Sequence, residues 1–251
     1  NLPPLEANAV KNMVYDVRLV YGRGVSFENC SFENSVLLKS NKTVNGSTNY
    51  GAGIFSIASG MEVKGCSFTG LNYGVYFGIN GSKTYNASII GSTFTSCLNG
   101  IVNLGRASVF INDNRFEMDD DIPTQSPAPQ VGIYLYSSIL GQTIEQNAFV
   151  RSNEYSRYSI GVLAGYTGSY YNRINENTFT GLDMGTETYG KNGELIEKYV
   201  SGLTYTCNEF ADITDYDFYI KYPNNGLYGM NPIQSNPGLL VTTPYHYGAQ
   251  N

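Results

Sequence analysis

The chain has 251 residues, 41% apolar and only 14% charged, a balance that supports one large core and excludes both disorder and long charged helices. A net charge of −6 argues against nucleic acid as a partner, because phosphate binding needs clustered Lys and Arg. No apolar run reaches the length of a membrane span, and four cysteines without CxxC spacing beside a single histidine argue against a zinc site.

Residues 1–13 form a Pro-containing lead-in, a candidate cap, and the missing initiator Met suggests a trimmed piece of a longer precursor. From Val14 the alternation of Val14, Asp16 and Arg18 with Tyr15, Val17 and Leu19 predicts a first strand. A frame then begins: an apolar residue, a small or amide residue three later, and Phe two after that. Phe27, Cys30 and Phe32 are its first copy, followed by an Asn/Ser/Thr-rich insertion over Lys39–Tyr50. Val63, Cys66 and Phe68 lead after six residues to Gly74, and Ile89, Ser92 and Phe94 lead after six to Gly100.

The fourth copy, Ile111, Asn114 and Phe116, is followed by an acidic, Pro-rich excursion before Gly132. Ile144, Asn147 and Phe149 precede a shorter excursion, and Gly161 resumes the strand character. Ile174, Asn177 and Phe179 reach Gly185 on schedule, and Tyr205, Asn208 and Phe210 close the series. Beyond Tyr222 the period stops, leaving 223–251 as an irregular tail, a cap or an assembly segment.

Spacings of 36, 26, 22, 33, 30 and 31 between Phe32, Phe68, Phe94, Phe116, Phe149, Phe179 and Phe210 indicate a repeated coil in which one corner takes the insertions. The segments are too short and too β-branched for helical repeats. The expected fold is all-β: a right-handed parallel β-helix over 14–222 with about seven or eight coils, roughly 35–40 Å long at the usual strand spacing. In it Phe and Ile form inward columns, and Asn114, Asn147, Asn177 and Asn208 form a ladder at a corner where Asn tolerates left-handed backbone angles. Gly74, Gly100, Gly132 and Gly161 are expected to turn a second corner. Cys30 and Cys66 share one frame position in adjacent coils, which fits either a disulfide or two small buried thiols.

Copies such as INENTFTGLDMG and IEQNAFVRS…IGVLAG resemble the right-handed β-helix repeats of the pectate-lyase-like superfamily. The segment TYTCNEFADITDYDFYIKY, with the Gly/Asn/Gln-rich stretch after it, is similar to parts of large secreted surface proteins of Bacteroidetes. Such proteins often end in a type IX sorting domain, which residues 1–251 do not resemble. That second resemblance implies an extracellular or cell-surface location and no catalytic activity.

Lyases of that superfamily need acidic calcium ligands with a base, and its hydrolases use paired carboxylates on adjacent coils. The matching strand positions here are mostly Tyr, Thr, Ser and Asn, and the one histidine, His246, lies in the tail. Asp119, Asp120 and Asp121 are the densest acidic cluster, able to bind calcium or simply to solvate a loop. Glu145, Glu176 and Glu209 beside the Asn ladder read as a solvent-facing charge column. Tyr155, Tyr158, Tyr166, Tyr170 and Tyr171 gather on one pair of coils, where they either stack on sugars or a protein partner or merely cover sheet.

The expected function is a non-enzymatic extracellular structural or adhesive module, at its fullest a subunit of a bacterial surface fibre assembled head to tail through the stack ends. The alternatives are a carbohydrate-active enzyme and a glycan-binding module on the same scaffold. No cofactor is expected apart from calcium at the acidic loop.

Overall fold

The computed structural model describes residues 15–33, 43–44, 47–48, 51–78, 84–105, 107–119, 128–137, 140–151, 157–168, 170–190, 192–196 and 199–221. The lead-in, the tail, Tyr155, Asp120, Asp121 and His246 lie outside them. Three long sheets form a parallel β-helix. Sheet A stacks Tyr15–Val20, Ala52–Ile57, Tyr73–Gly78, Asn99–Leu104, Gln130–Tyr136, Ser159–Gly165, Met184–Tyr189 and Tyr216–Lys221. Sheet B stacks Val25–Glu28, Met61–Lys64, Tyr85–Ile90, Ala107–Asn112, Thr143–Glu145, Asn172–Asn175 and Tyr199–Thr206. Sheet C stacks Ser31–Glu33, Ser67–Thr69, Thr93–Thr95, Arg115–Glu117, Ala148–Val150, Thr178–Thr180 and Glu209–Ala211. The chain thus makes seven full coils and the first strand of an eighth, with the right-handed crossover that parallel strands demand. Two pairings depart from parallel: Gly193–Ile196 against the start of the last sheet B strand, and the small hairpin Thr43–Val44 with Ser47–Thr48.

Inward columns run the length of the stack. Ile54, Val75, Ile101, Ile133 and Val162 come from sheet A, and Val63, Ile89, Ile111, Ile144 and Ile174 from sheet B, all fully buried. The seven frame phenylalanines stack face to face in sheet C, with centroids 4.7–4.9 Å apart and planes within 10°. That distance is the strand spacing itself, so one ring per coil fills the column without a gap.

The corner from sheet B to sheet C always has two residues, and the asparagine ladder sits there. Asn147 shows the pattern. Its Oδ1 accepts from the backbone N–H and the Nδ2 of Asn114, at 3.0 and 2.9 Å. Its Nδ2 donates to the carbonyls of Ile111 and Glu145 and to Asn177 Oδ1. Each coil therefore satisfies the turn of its neighbour. Ser92 and Cys66 extend the same ladder with a hydroxyl and a thiol, down to Cys30, whose N–H lies 3.4 Å from Cys66 Sγ. Cys30 and Cys66 are free thiols in contact. Of the two readings open for them, the disulfide is absent.

Three expectations about the corners are corrected. The left-handed residue is the one before each ladder asparagine: Asp113, Gln146, Glu176 and Cys207 have φ of 52–56°. The asparagines are selected for their amides. The glycines Gly74, Gly100, Gly132 and Gly161 lie within sheet A strands and turn no corner. A Cβ on Gly100 would meet the Phe116 ring at 2.7 Å and the Gly132 carbonyl at 2.6 Å, so the bare backbone makes room for the phenylalanine of its own coil. Insertions, finally, enter at two corners, from C to A and from A to B. The B-to-C corner excludes them because its ladder bonds leave no slack.

Gly100→Ala is accordingly expected to cost about 1–3 kcal/mol by overpacking, read as a lower urea midpoint. Gly91→Ala, at an open corner position with nothing within 4 Å but φ of 58°, isolates the backbone contribution alone.

Candidate binding face on sheet A

Outward residues of sheets B and C are mostly exposed or half-exposed, as in Met61–Lys64 and Thr178–Thr180. Sheet A differs. Its outward positions form a second apolar layer: Ala52, Phe55, Tyr76, Val102 and Leu104 on the early coils, then Val131, Ile160, Leu163 and Met184. Phe55 and Leu163 are each 1% exposed although they face away from the prism.

On the later coils this layer becomes tyrosine-rich and opens. Tyr134 and Tyr189 join through their hydroxyls at 2.9 Å. Tyr166 meets Tyr136 and Tyr189 edge-on at 5.8 and 5.7 Å, and Tyr216 stacks on Tyr219 at 5.1 Å. Glu187 is half-buried among them, and burial raises its carboxyl above the usual range while Lys221 draws it back. Burial likewise raises the phenols of Tyr134, Tyr158 and Tyr189, so these hydroxyls stay neutral hydrogen-bonding groups.

The corner bordering this face is held by Asp183. Its Oδ2 accepts from the Ser159 N–H at 2.7 Å, from Ser159 Oγ at 3.0 Å and from the Arg151 guanidinium. Thr214 Oγ1 donates to its Oδ1 at 3.0 Å. Burial opposes ionisation of Asp183, but the Ser159 N–H and the Arg151 cation outweigh it and hold the carboxyl below its ordinary range. A carboxylate bound by four donors is a fastener rather than a proton carrier. A depressed carboxyl gives stability that is complete above its unfolded pKa of about 4 and is lost as pH falls through the native value. Asp183→Asn is therefore expected to cost about 1–3 kcal/mol at neutral pH and to flatten the acid limb of a stability–pH profile.

Of the five tyrosines expected to cluster, the four described ones are divided by the fold. Tyr158 precedes the strand Ser159–Gly165 and Tyr166 follows it, which puts about 23 Å of strand between them. Tyr166, Tyr170 and Tyr171 lie together at the A-to-B corner, all exposed, and the Tyr170 carbonyl accepts from Asn172 Nδ2. Tyr158 belongs instead with Asp215, which raises its phenol by hydrogen bond and charge after burial. Glu145 is paired with Arg173, and Glu176 accepts from Gln146, so of that column Glu209 alone stands in solvent without such a partner among the described residues. Asp119 ends the described part of the acidic loop, and among the described residues no three His, Cys, Asp or Glu gather to hold a metal. Among them too, no helix is long and apolar enough to cross a membrane.

Tyr134, Tyr136, Tyr189 and Glu187 were not among the sequence candidates. Period-two reading of Gly132–Tyr136 and Gly185–Tyr189 marks them as outward positions, and that signal was available. Their convergence was not, since they stand 55 residues apart and meet only through the coil register.

No protein family model, curated protein or solved structure matches the chain.

Proposed function

We propose that the chain is a non-enzymatic structural or adhesive module of the extracellular space or cell surface: a rigid β-helical rod whose tyrosine-rich face docks a glycan or a partner protein. The observation that carries this reading is the use made of its polar groups. Ladder asparagines, Gln142, Asn172, Asn192 and Asp183 are all engaged in coil-to-coil hydrogen bonds. Glu187, half-buried, sits among the tyrosines of this face. Neutral phenols around an apolar layer supply stacking area with hydrogen-bonding rims, the chemistry of a binding surface. Kinship with pectate-lyase-like β-helices is part of the proposal and supplies the scaffold alone. The role needs no cofactor.

A screen on acidic and neutral polysaccharides tests it. No turnover is expected, and turnover abolished by Glu187→Gln would replace the reading with that of a carbohydrate-active enzyme. On a glycan array, binding that falls at least ten-fold in Tyr166→Ala would assign the adhesive surface to this face. Binding unchanged in that variant would move it elsewhere on the rod.

A further inference from the structure

We infer that residues 1–14, the segment ahead of the first strand, lie lengthwise over the outer face of sheet A as a strap that covers its first two outward columns from Tyr15 to Glu187. The inference goes beyond the binding reading and does not depend on it. It names what covers the apolar layer, and with that which part of the face stays open to a ligand.

The sheet A register sorts the outward side chains into three columns. Tyr15, Ala52, Tyr73 and Asn99 begin the first, and Val131, Ile160, Met184 and Tyr216 continue it. Arg18, Phe55, Tyr76 and Val102 begin the second, which runs on through Tyr134 and Leu163 to Glu187 and Tyr219. Burial follows these columns. In the second, Arg18 is exposed, the apolar residues from Phe55 to Leu163 are buried apart from the half-buried Tyr134, and Glu187 and Tyr219 open again. In the first, Ala52, Val131, Ile160 and Met184 are buried and Tyr15 and Tyr216 are not. The third column is mostly open: Val20 is 42% exposed and Ile57, Tyr136 and Tyr189 are partly so, with Leu104 the buried exception. A stripe about 10 Å wide is therefore kept from water along the axis of the stack, a width that one extended chain can cover.

A residue on the open face of a single sheet keeps one side in water, since its neighbours stand beside it and not above it. Among the described residues, every apolar side chain packed with this layer belongs to sheet A itself. The cover is thus a part of the same chain outside them, and three observations select residues 1–14. They join the stack at Tyr15, the head of the first column. From Tyr15 to Glu187 is six strand spacings, about 29 Å, and fourteen extended residues reach about 46 Å. The segment supplies Leu2, Leu5, Val10, Met13 and Val14 against the two charges of Glu6 and Lys11.

The far end of the stripe agrees. Burial raises the Glu187 carboxyl, and two positive charges oppose it, Lys221 and the amino group of Asn1. Such an influence fades beyond about 10 Å in salt solution, so one end of the segment belongs at the late coils while the other is fixed at the first. Other segments fit less well. The insertions 34–50, 120–127 and 152–156 are mostly polar and tied at both ends to the C-to-A corner. The tail leaves from Lys221, in the open third column. With two columns covered, Tyr136, Tyr166 and Tyr189 remain as the part of the face that a ligand can reach.

A photo-cross-linker tests the strap in the full chain. p-Benzoylphenylalanine replaces Tyr73 or Tyr134, half-buried tyrosines of the first and second columns. On irradiation its ketone inserts into a C–H bond within reach and becomes a carbinol, with no atom lost. The expected products are links within one chain to the tryptic peptides 1–11 and 12–18, at least ten-fold above those from the same probe at Phe110 on sheet B. The Tyr134 probe should capture residues nearer to Asn1 than the Tyr73 probe does. Links to 222–251 or to the insertions instead, links between two copies, the reverse order or no link would each overturn the strap. Leu5→Asp with Val10→Asp repeats the test without a probe. Emission of an anilinonaphthalene sulfonate dye is expected to rise at least five-fold while far-UV dichroism holds, and unchanged emission would overturn the strap as well. An absence of glycan or partner binding would instead count against the docking reading and leave the strap standing.

Discussion

Asn147→Leu is expected to lower the unfolding free energy by about 3–6 kcal/mol, because a side chain branched alike but without polar atoms removes the acceptor and donor on which two neighbouring coils depend. The Asn114 backbone N–H and Nδ2 lose their shared acceptor, and the carbonyls of Ile111 and Glu145 lose their donor, all inside a buried corner. Each orphaned group costs about 1–3 kcal/mol of desolvation, so several together exceed any packing that leucine recovers. Asn147→Ser is the informative companion. Serine at position 92 already accepts from the Cys66 N–H at 3.1 Å and donates to the Ile90 carbonyl at 3.2 Å, so a hydroxyl preserves the acceptor and the local donation, and the donations to Ile111 and Asn177 are lost. Urea melts should rank the parent first, then Asn147→Ser, then Asn147→Leu. A leucine variant as stable as the parent would show that coil-to-coil strand bonds carry the corner unaided. Since a solenoid unfolds in neighbouring units, amide exchange should localise the damage to the coils of Phe116 and Phe149.

Phe149→Ala is expected to cost about 3–5 kcal/mol. The ring lies between Phe116 and Phe179 at 4.7 and 4.8 Å and is fully buried, so its removal opens a cavity walled by two parallel rings and the bare backbone of Gly132. Strand spacing fixes those walls, and the coils cannot close without breaking sheet hydrogen bonds. Phe149→Leu should recover a large part of the loss. A double variant, Phe149→Ala with Gly132→Ala, tests the pairing of ring and glycine directly. The methyl that collides with the ring in the parent enters the vacated space instead, and the two effects should be less than additive by about 1 kcal/mol or more. Strict additivity would contradict the close approach of Gly132 to the ring.

These two positions also show where reading the chain succeeds. The return of Phe with an amide two residues before it names the fold, because only a structure that repeats at the strand spacing presents one residue type at one place in every coil. The coil count, the inward columns and the position of the ladder all followed from that periodicity. The physical purpose of the residues followed less well. Asparagine at a corner suggests a left-handed backbone, yet that conformation belongs to Gln146 and Glu176, and the amide of Asn147 serves hydrogen bonds instead. Glycine suggests a turn, yet Gly132 is straight strand beneath a ring. Local propensity cannot distinguish these cases, because the deciding contact comes from Phe149, 17 residues on, for Gly132 and from Asn114, 33 residues back, for Asn147.

The candidate surfaces separate along the same line. Sequence alone determined that Tyr158 and Tyr166 stand near one strand; the length of that strand decided that they look onto different corners. It determined that Gly74, Gly100, Gly132 and Gly161 recur once per coil; only the stacked register decided that each lies against a phenylalanine ring. Periodicity is a property of the chain and can be read from it. Contact between unlike positions of different coils depends on the pitch, the strand lengths and the rotation at each corner, and those quantities exist only once the coils have closed on one another.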